Sequence, residues 1–279
     1  MKKGEIDLLD GSPPCCAFST AGKRERSWNQ ERDYSEGKRQ QIETLFYEYI
    51  RLIDGLQPKC FIAENVSGLV KGKAVGYFKE FIRGMKACGY KVKAQLLNAA
   101  WLGVPQSRER IIYMGVREDL GLEPVYPEPL GYYYTVRDAL ETLPPIDPEE
   151  EQLLFDEIKG KKIGEVINMM AKNPKKPFSA ASVMNGSWFN LKRESMDRPC
   201  STICCSSGAI GTAGNFHPLV NRKFSIAELK RLTSIPDDFI LTGGRPQQWE
   251  RLGRMVPPVM MKHVAKTVQE KILDKVAKK

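Results

Sequence analysis

The alternation of short apolar runs with amphipathic helical segments is the feature that most limits what this 279-residue chain can fold into. Short apolar strands are predicted at residues 5–10 and 59–63, an alternating strand at 90–99 and a further strand at 108–116. Between them, residues 42–53 and 78–88 carry apolar side chains at helical spacing. A strand–helix–strand–helix–strand order predicts an α/β fold, in which helices cover the faces of one sheet.

The second half of the chain has a different character. Residues 117–199 begin with a proline- and tyrosine-rich segment, carry an acidic and a basic run, and show weak periodicity, which predicts a smaller irregular domain. Helices are predicted again at 225–235 and 259–276. The last of these has an apolar stripe at a spacing of four that is typical of core packing, formed by Met260, Val264, Val268 and Ile272.

The composition narrows the functional classes. A net charge of +9 is compatible with a nucleic-acid partner. Seven cysteines without a CxxC spacing argue against a disulfide framework or a zinc site, and two histidines are few for metal or Ser-His-Asp chemistry. The chain has neither a run of 18 apolar residues nor a signal peptide, so we expect no membrane association and a cytoplasmic location.

Reactive side chains follow three of the predicted strands or lead into them, and the ends of strands are where α/β proteins collect their ligands. Cys15 follows Pro14, and a rigid turn can aim a thiolate, although a lone cysteine is more often a buried small hydrophobe. Glu64 ends the second strand. Arg108 and Arg110 alternate onto one face of the last strand, as either a solvated edge or a phosphate contact.

Together these stretches resemble the motifs of one family, the cytosine-C5 DNA methyltransferases. The motifs are GSPPCCAFS at 11–19, ENV at 64–66 and QSRER at 106–110, in the family's order. Similar segments follow the catalytic loop and close the chain: TLFYEYIRL at 44–52, RPCSTI at 198–203, HP at 217–218, RKFSIAELKRL at 222–232 and VPP at 256–258.

The resemblance implies a reaction and the residues that perform it. Cys15 would add to C6 of a cytosine that has been flipped out of duplex DNA, so that C5 can attack the methyl group of S-adenosylmethionine. Glu64 would bond N3 of the base and Arg110 its O2, with Arg108 in the same catalytic motif. The substrate-binding motifs would include Ser19, Asn65, Val66 and Gln106, and the cofactor contacts would include Pro14, Leu45, Arg254 and Met255.

The resemblance also implies an architecture, a Rossmann-like methyltransferase sheet with a small target-recognition domain. Residues 1–116 and 200–279 would form the catalytic domain, and residues 117–199 the target-recognition domain. The loop at 16–40, which carries several basic residues, would close over double-stranded DNA.

The sequence departs from the family pattern in the DNA contacts of the catalytic loop, at Cys16, and at the cofactor site. Cys16 stands where glutamine is frequent, and Arg254 stands where an asparagine would contact the cofactor. The family's glycine-rich turn and acidic cofactor residues would precede the nucleophile, but only ten residues precede Gly11. We therefore expect an incomplete site for S-adenosylmethionine, which a second polypeptide or self-association would complete unless the chain is a truncated relic or the gene start is wrong.

Three functions stay open on the sequence alone. The chain is a DNA cytosine-C5 methyltransferase, complete or one part of a split enzyme. Alternatively it is a catalytically incomplete DNA-binding remnant, or it belongs to the tRNA-methylating branch of the same family. Binding of S-adenosylmethionine separates the first function from the second.

Overall fold

The structure is a computed structural model that describes residues 3–13, 32–33, 39–40, 44–70, 75–183, 190–208 and 214–278. The strands of the described part are β1 Leu8–Gly11, β2 Arg32–Asp33, β3 Arg39–Gln40, β4 Cys60–Val66, β5 Tyr90–Asn98, β6 Gln106–Ser107, β7 Glu109–Arg117, β8 Phe178–Ser179, β9 Lys192–Arg193, β10 Cys200–Ser201 and β11 Asn215–Phe216. Its α-helices are α1 Thr44–Leu56, α2 Val75–Ala87, α3 Val136–Leu140, α4 Pro148–Asp156, α5 Lys162–Met169, α6 Ile226–Leu232, α7 Arg245–Arg254, α8 Pro258–Val268 and α9 Asp274–Ala277.

The chain divides into two compact units. Unit 1 contains residues 1–97, 109–127 and 264–279, and unit 2 contains residues 98–108 and 128–263. This division differs from the domain boundaries expected from the sequence, because most of 200–279 joins unit 2 rather than returning to the first unit. The assignment of target recognition to residues 117–199 stays a prediction.

The principal sheet of unit 1 has the strand order β1-β4-β7-β5. β1 runs parallel to β4, with Gly11 opposite Ala63. β4 runs antiparallel to β7, with Val66 opposite Arg110. The sheet is therefore mixed rather than wholly parallel, and the antiparallel pair places side chains from β4 and β7 side by side on the same face.

Helices α1 and α2 contribute to a common core with this sheet. Buried aromatic residues dominate the core: Phe46 and Tyr49 of α1, Phe81 of α2, Phe61 of β4, Tyr90 of β5 and Tyr113 of β7. The rings of Phe46 and Phe81 lie 4.2 Å apart between their centroids. This packing follows from the helical spacing of the apolar residues in both helices, so the sequence-based assignment of these helices is confirmed.

α1 ends at Leu56, and Gln57 then adopts the left-handed conformation with φ of 46°. The segment 16–40, expected to be a loop, lies largely outside the described residues. Within its described part, β2 and β3 pair antiparallel, with Arg32 opposite Gln40.

Unit 2 is more regular than its sequence suggested. Three helices, α3 to α5, lie in the segment expected to be irregular, and Thr135 and Asp138 form a reciprocal capping box at the start of α3. α7, which the sequence analysis did not predict, buries Trp249. One core cluster joins Val136, Cys200, Phe224 and Trp249. Because these residues come from distant parts of the chain, they explain why 128–263 forms one unit.

The C-terminal helical segment agrees with the sequence. α8 is followed by a π-helical turn at Gln269–Leu273 and then by α9. All four residues of its predicted apolar stripe are fully buried. Among the helices of the described ranges, none combines the length and the apolar character that crossing a membrane requires.

Candidate functional site

An acidic and a basic side chain meet on the principal sheet of unit 1. The Nε atom of Arg110 on β7 lies 2.7 Å from Oε1 of Glu64 on β4, and both side chains are only about a tenth exposed. In the register of the two strands, Arg110 lies directly opposite Val66. Glu64 lies two residues before Val66 on the same face of β4, so Glu64 and Arg110 are diagonal neighbours whose long side chains can meet. The two strands thus hold a carboxylate and a guanidinium in a fixed relation, which fits them to bind a polar planar ligand from one side.

Asn65 connects the end of β4 to the segment that leads to the predicted nucleophile. Its Nδ2 donates a hydrogen bond of 3.0 Å to the carbonyl oxygen of Pro13, and its Oδ1 accepts one of 2.9 Å from the backbone N–H of Val66. Asn65 is buried, so both halves of its amide are engaged away from bulk solvent. This places a polar anchor two residues before Cys15 in the sequence.

Three of the predicted site residues, Pro14, Cys15 and Ser19, lie outside the described residues, as does Cys16. Leu45 lies in the first turn of α1 and is half-buried.

Gln106 and Arg108 belong to unit 2, where each side chain hydrogen-bonds to the backbone. Gln106 is fully buried, and its amide bridges the backbone at Ile203 and Leu232 with two contacts of 3.4 Å. Arg108 is 1% exposed and donates to the carbonyl oxygens of Ile203 and Gly253 at 3.1 and 2.8 Å. These contacts indicate that both side chains brace the core of unit 2.

Arg254 and Met255 lie where α7 ends. Arg254 is the last residue of the helix and forms an ion pair of 2.5 Å with Glu250, one turn earlier. Its side chain is half exposed. Met255 packs its partly buried side chain against the core of unit 2.

A second polar cluster lies inside unit 2. Arg222 makes a two-pronged ion pair with Glu228, at 2.9 Å for each hydrogen bond, and also contacts Glu151 at 3.1 Å. Burial is the largest single influence on Glu228 and opposes its ionisation, but the hydrogen bonds and the charge of Arg222, together with His217 and the backbone of Ser225, outweigh it and lower the pKa of the carboxyl group. Burial lowers the pKa of His217 to about 4, so this histidine is neutral at pH 7. Apart from Glu151, the cluster lies in the HP and RKFSIAELKRL motifs, and it has the character of a structural element.

One residue next to the candidate site escaped the sequence analysis. Tyr49 of α1 is buried, and its hydroxyl donates to the carbonyl oxygen of Ile62 on β4 at 2.7 Å. Its helical spacing marked it only as a core residue. The sequence did carry one signal, a tyrosine at a predicted core position, because a buried tyrosine hydroxyl needs a hydrogen-bond partner.

Comparison with solved structures shows the fold. A prophage protein of E. coli described as a DNA modification methyltransferase aligns over 96% of this chain and 80% of its own, with a TM-score of 0.67 and 20% identity. The mixed α/β architecture is therefore that of methyltransferases.

Comparison of sequences gives the family. Residues 1–270 match the family of C-5 cytosine-specific DNA methylases, and the chain belongs to it. The Type II methyltransferase M.Sau96I of Staphylococcus aureus is 33% identical over 95% of this chain, which spans 60% of the length of that relative. M1.HphI of Haemophilus parahaemolyticus, also a Type II methyltransferase, is 33% identical over 95% of this chain, which spans 68% of the length of that relative. Enzymes of this family take their methyl group from S-adenosylmethionine.

Proposed function

We propose that this chain carries the base-activating half of a DNA cytosine-C5 methyltransferase. The ion pair between Glu64 and Arg110 is the observation that carries the proposal, because it provides the two polar groups that a cytosine ring needs at N3 and O2. Asn65 adds support, since it anchors the backbone of Pro13 close to Cys15 in the sequence.

The proposed chemistry assigns each of these residues one role. The Cys15 thiolate adds to C6 of the flipped cytosine, and electron density moves into the ring towards C5. Glu64 bonds N3 and Arg110 bonds O2, and together they stabilise the charge that develops as the thiolate adds. S-adenosylmethionine supplies the electrophilic methyl group for C5. Loss of the C5 proton and expulsion of the thiolate then restore the aromatic ring.

Four cysteines of the described ranges are poor candidates for the nucleophile, which supports Cys15 in that role. Burial raises the pKa of the Cys60 thiol to about 12 and raises that of Cys200 well above its ordinary value. Burial also raises the pKa of Cys88 and Cys204. These thiols keep their protons at neutral pH and are poor nucleophiles, because the thiolate is the reactive form.

The candidate cofactor residues in the described ranges do not by themselves form a nucleoside site. Leu45 offers apolar contact only, and Arg254 is engaged by Glu250. We propose that a polypeptide segment outside these 279 residues supplies further strands and cofactor contacts next to β1, which is one of the two outer strands of the described sheet. The two leucines of β1 are only half-buried, whereas residues 60–65 of β4 are all buried.

Unit 2 carries a candidate surface for the phosphate backbone of DNA. Lys172, Lys175 and Lys176 are exposed and lie within five residues of one another in the sequence. Replacing all three by serine should reduce the salt slope of DNA binding by up to about 3, because each phosphate contact releases about one counterion. The matched control replaces Lys271, Lys275 and Lys278, which are exposed near the C-terminus. An equal loss in the control would contradict the assignment.

Transfer of a labelled methyl group tests the proposed function. The purified chain is incubated with duplex DNA or tRNA and labelled S-adenosylmethionine, with and without the N-terminal segment of a relative such as M.Sau96I. We expect labelling of DNA at C5 of cytosine, with the added segment required. Labelling of tRNA alone would select the tRNA-methylating function, and DNA binding without transfer under any condition would select the remnant. DNA as substrate agrees with the cytoplasmic location that the sequence suggests.

A further inference from the structure

We propose that Tyr49 is a positioning residue for cytosine activation, one that holds the ends of β1 and β4 in the relation that the reaction needs. The proposal rests on the proposed function and adds to it a residue that contacts neither base nor cofactor. Tyr49 lies on α1, and it contacts both of the strands that lead to the reacting groups. β1 leads through Pro13 towards Cys15, and β4 carries Glu64.

The first contact of Tyr49 is a hydrogen bond to β4. Its hydroxyl donates to the carbonyl oxygen of Ile62 at 2.7 Å, two residues before Glu64. The same hydroxyl lies 3.5 Å from the carbonyl oxygen of Leu9 on β1. Burial raises the pKa of the phenol far above its ordinary value, so the group remains a donor at every pH at which the protein works. The phenol has one hydrogen to donate, so its hydroxyl is bonded to β4 and lies next to the backbone of β1.

The second contact is steric and fixes the end of β1. A Cβ atom placed on Gly11 would lie 2.4 Å from Cε2 of the Tyr49 ring, well inside any real carbon–carbon contact. Position 11 therefore requires glycine for a steric reason, because the Tyr49 ring occupies the space that a side chain would need. The backbone of Gly11 is not left-handed. The ring is itself held in place, since it stacks on Phe81 with the centroids 6.2 Å apart and meets Phe61 edge-on.

Together the two contacts define the path of the chain up to Pro13, the last described residue before Cys15 in the sequence. The ring limits how far Gly11 can move towards α1, and the hydroxyl fixes β4 beside it. Asn65 then ties Pro13 to the end of β4. Small displacements between a nucleophile and its partner groups lower reaction rates strongly, because the reacting atoms must stay within a narrow range of distances.

A matched pair of substitutions separates positioning from general stability. Tyr49→Phe removes only the hydroxyl. Tyr90→Phe removes another buried hydroxyl, which donates to the carbonyl oxygen of Pro58 at 2.6 Å, just before the opposite end of β4. Both variants should lose similar stability, since each loses one hydrogen bond to a buried backbone carbonyl. Only Tyr49→Phe should affect the site.

The first measurement is amide hydrogen exchange, which does not depend on activity. In Tyr49→Phe, exchange in a peptide covering residues 8–13 should become about 5–10-fold faster, the change expected for one lost hydrogen bond. In Tyr90→Phe that peptide should exchange as in the wild type. Equal exchange of the peptide in both variants would overturn the proposal, and so would an unchanged peptide in Tyr49→Phe.

The second measurement is release of tritium from DNA that contains [5-³H]cytosine, without a methyl donor. Addition of the thiolate to C6 lets water protonate C5, and loss of the original hydrogen followed by expulsion of the thiolate returns cytosine with its tritium in solvent. We expect kcat for release to fall about 10-fold or more in Tyr49→Phe, with KM for DNA unchanged and Tyr90→Phe close to the wild type. Equal rates in the two variants would overturn the positioning role. Absence of release from the wild type would instead count against the proposed function, while amide exchange would still decide the role of Tyr49.

Discussion

Replacing Arg108 tests most sharply whether this residue of the QSRER motif has a structural or a catalytic role. Its guanidinium is buried in unit 2 and donates to the carbonyl oxygens of Ile203 and Gly253. Hydrogen bonds from a charged group contribute roughly 1.5–3 kcal/mol each, and removing the buried charge offsets part of their loss. Arg108→Met should therefore lower the free energy of unfolding of unit 2 by about 2–5 kcal/mol.

Urea denaturation combined with amide hydrogen exchange measures this loss and locates it. Protection should fall in peptides around Ile203 and Gly253, because their carbonyl oxygens lose a donor. The control is Arg137→Met, which breaks an ion pair of 2.7 Å between Arg137 and Asp197, each about half exposed, and should cost about 0–1 kcal/mol.

Two outcomes would refute the structural reading of Arg108. The first is an Arg108→Met protein with the stability of the wild type. The second is a folded Arg108→Met protein that no longer releases tritium from [5-³H]cytosine DNA, since a brace of unit 2 should leave the addition step intact. Arg110→Met, in contrast, should abolish release, because Arg110 faces Glu64 at the proposed base site.

Three further predictions concern the acid, the arginine cluster and the histidine. Glu64→Gln should lower the rate of methyl transfer by about 10²–10⁴-fold while DNA affinity stays within a few-fold, and a rate close to that of the wild type in an active assembly would contradict its role. Arg222→Met should destabilise unit 2 by about 3–5 kcal/mol in urea denaturation, because Glu228 would keep a buried charge without its partner; an unchanged midpoint would contradict this. His217→Asn should flatten the fall in stability between pH 6.5 and about 4, since the unfolded histidine binds its proton before the folded one does and wild-type stability is therefore lost as the pH drops through this range. If His217 makes no such contribution, the thermal midpoints of the variant and of the wild type should change by the same amount over this pH range.

The sequence predicts the elements of unit 1 well because the apolar residues that are buried there follow the spacing of a strand or of a helix. The apolar run at 59–63 corresponds to β4, and the helical spacing at 42–53 corresponds to α1. The motifs also led to Glu64 and Arg110, which the structure joins in one ion pair. Their pairing depends on the register of β4 against β7, and no local pattern in the sequence carries that information.

The sequence could not distinguish the two arginines of the QSRER motif. Alternation suggested that Arg108 and Arg110 share one face of a strand, but Arg108 lies between β6 and β7 and belongs to unit 2. Its partners, Ile203 and Gly253, are 95 and 145 residues away in the chain. The boundaries of unit 2 escaped prediction for the same reason, because its core is assembled from segments that are distant in the sequence.

The position of the covalent bond tests the central claim most directly. An oligonucleotide with 5-fluorocytosine at the target position should form a lasting adduct with the assembled enzyme and methyl donor, because fluorine at C5 blocks the final elimination. Peptide mapping should place the adduct on Cys15, with Cys16→Ser still trapping the DNA and Cys15→Ser failing to do so. An adduct on Cys16, or trapping that persists in Cys15→Ser, would contradict the account.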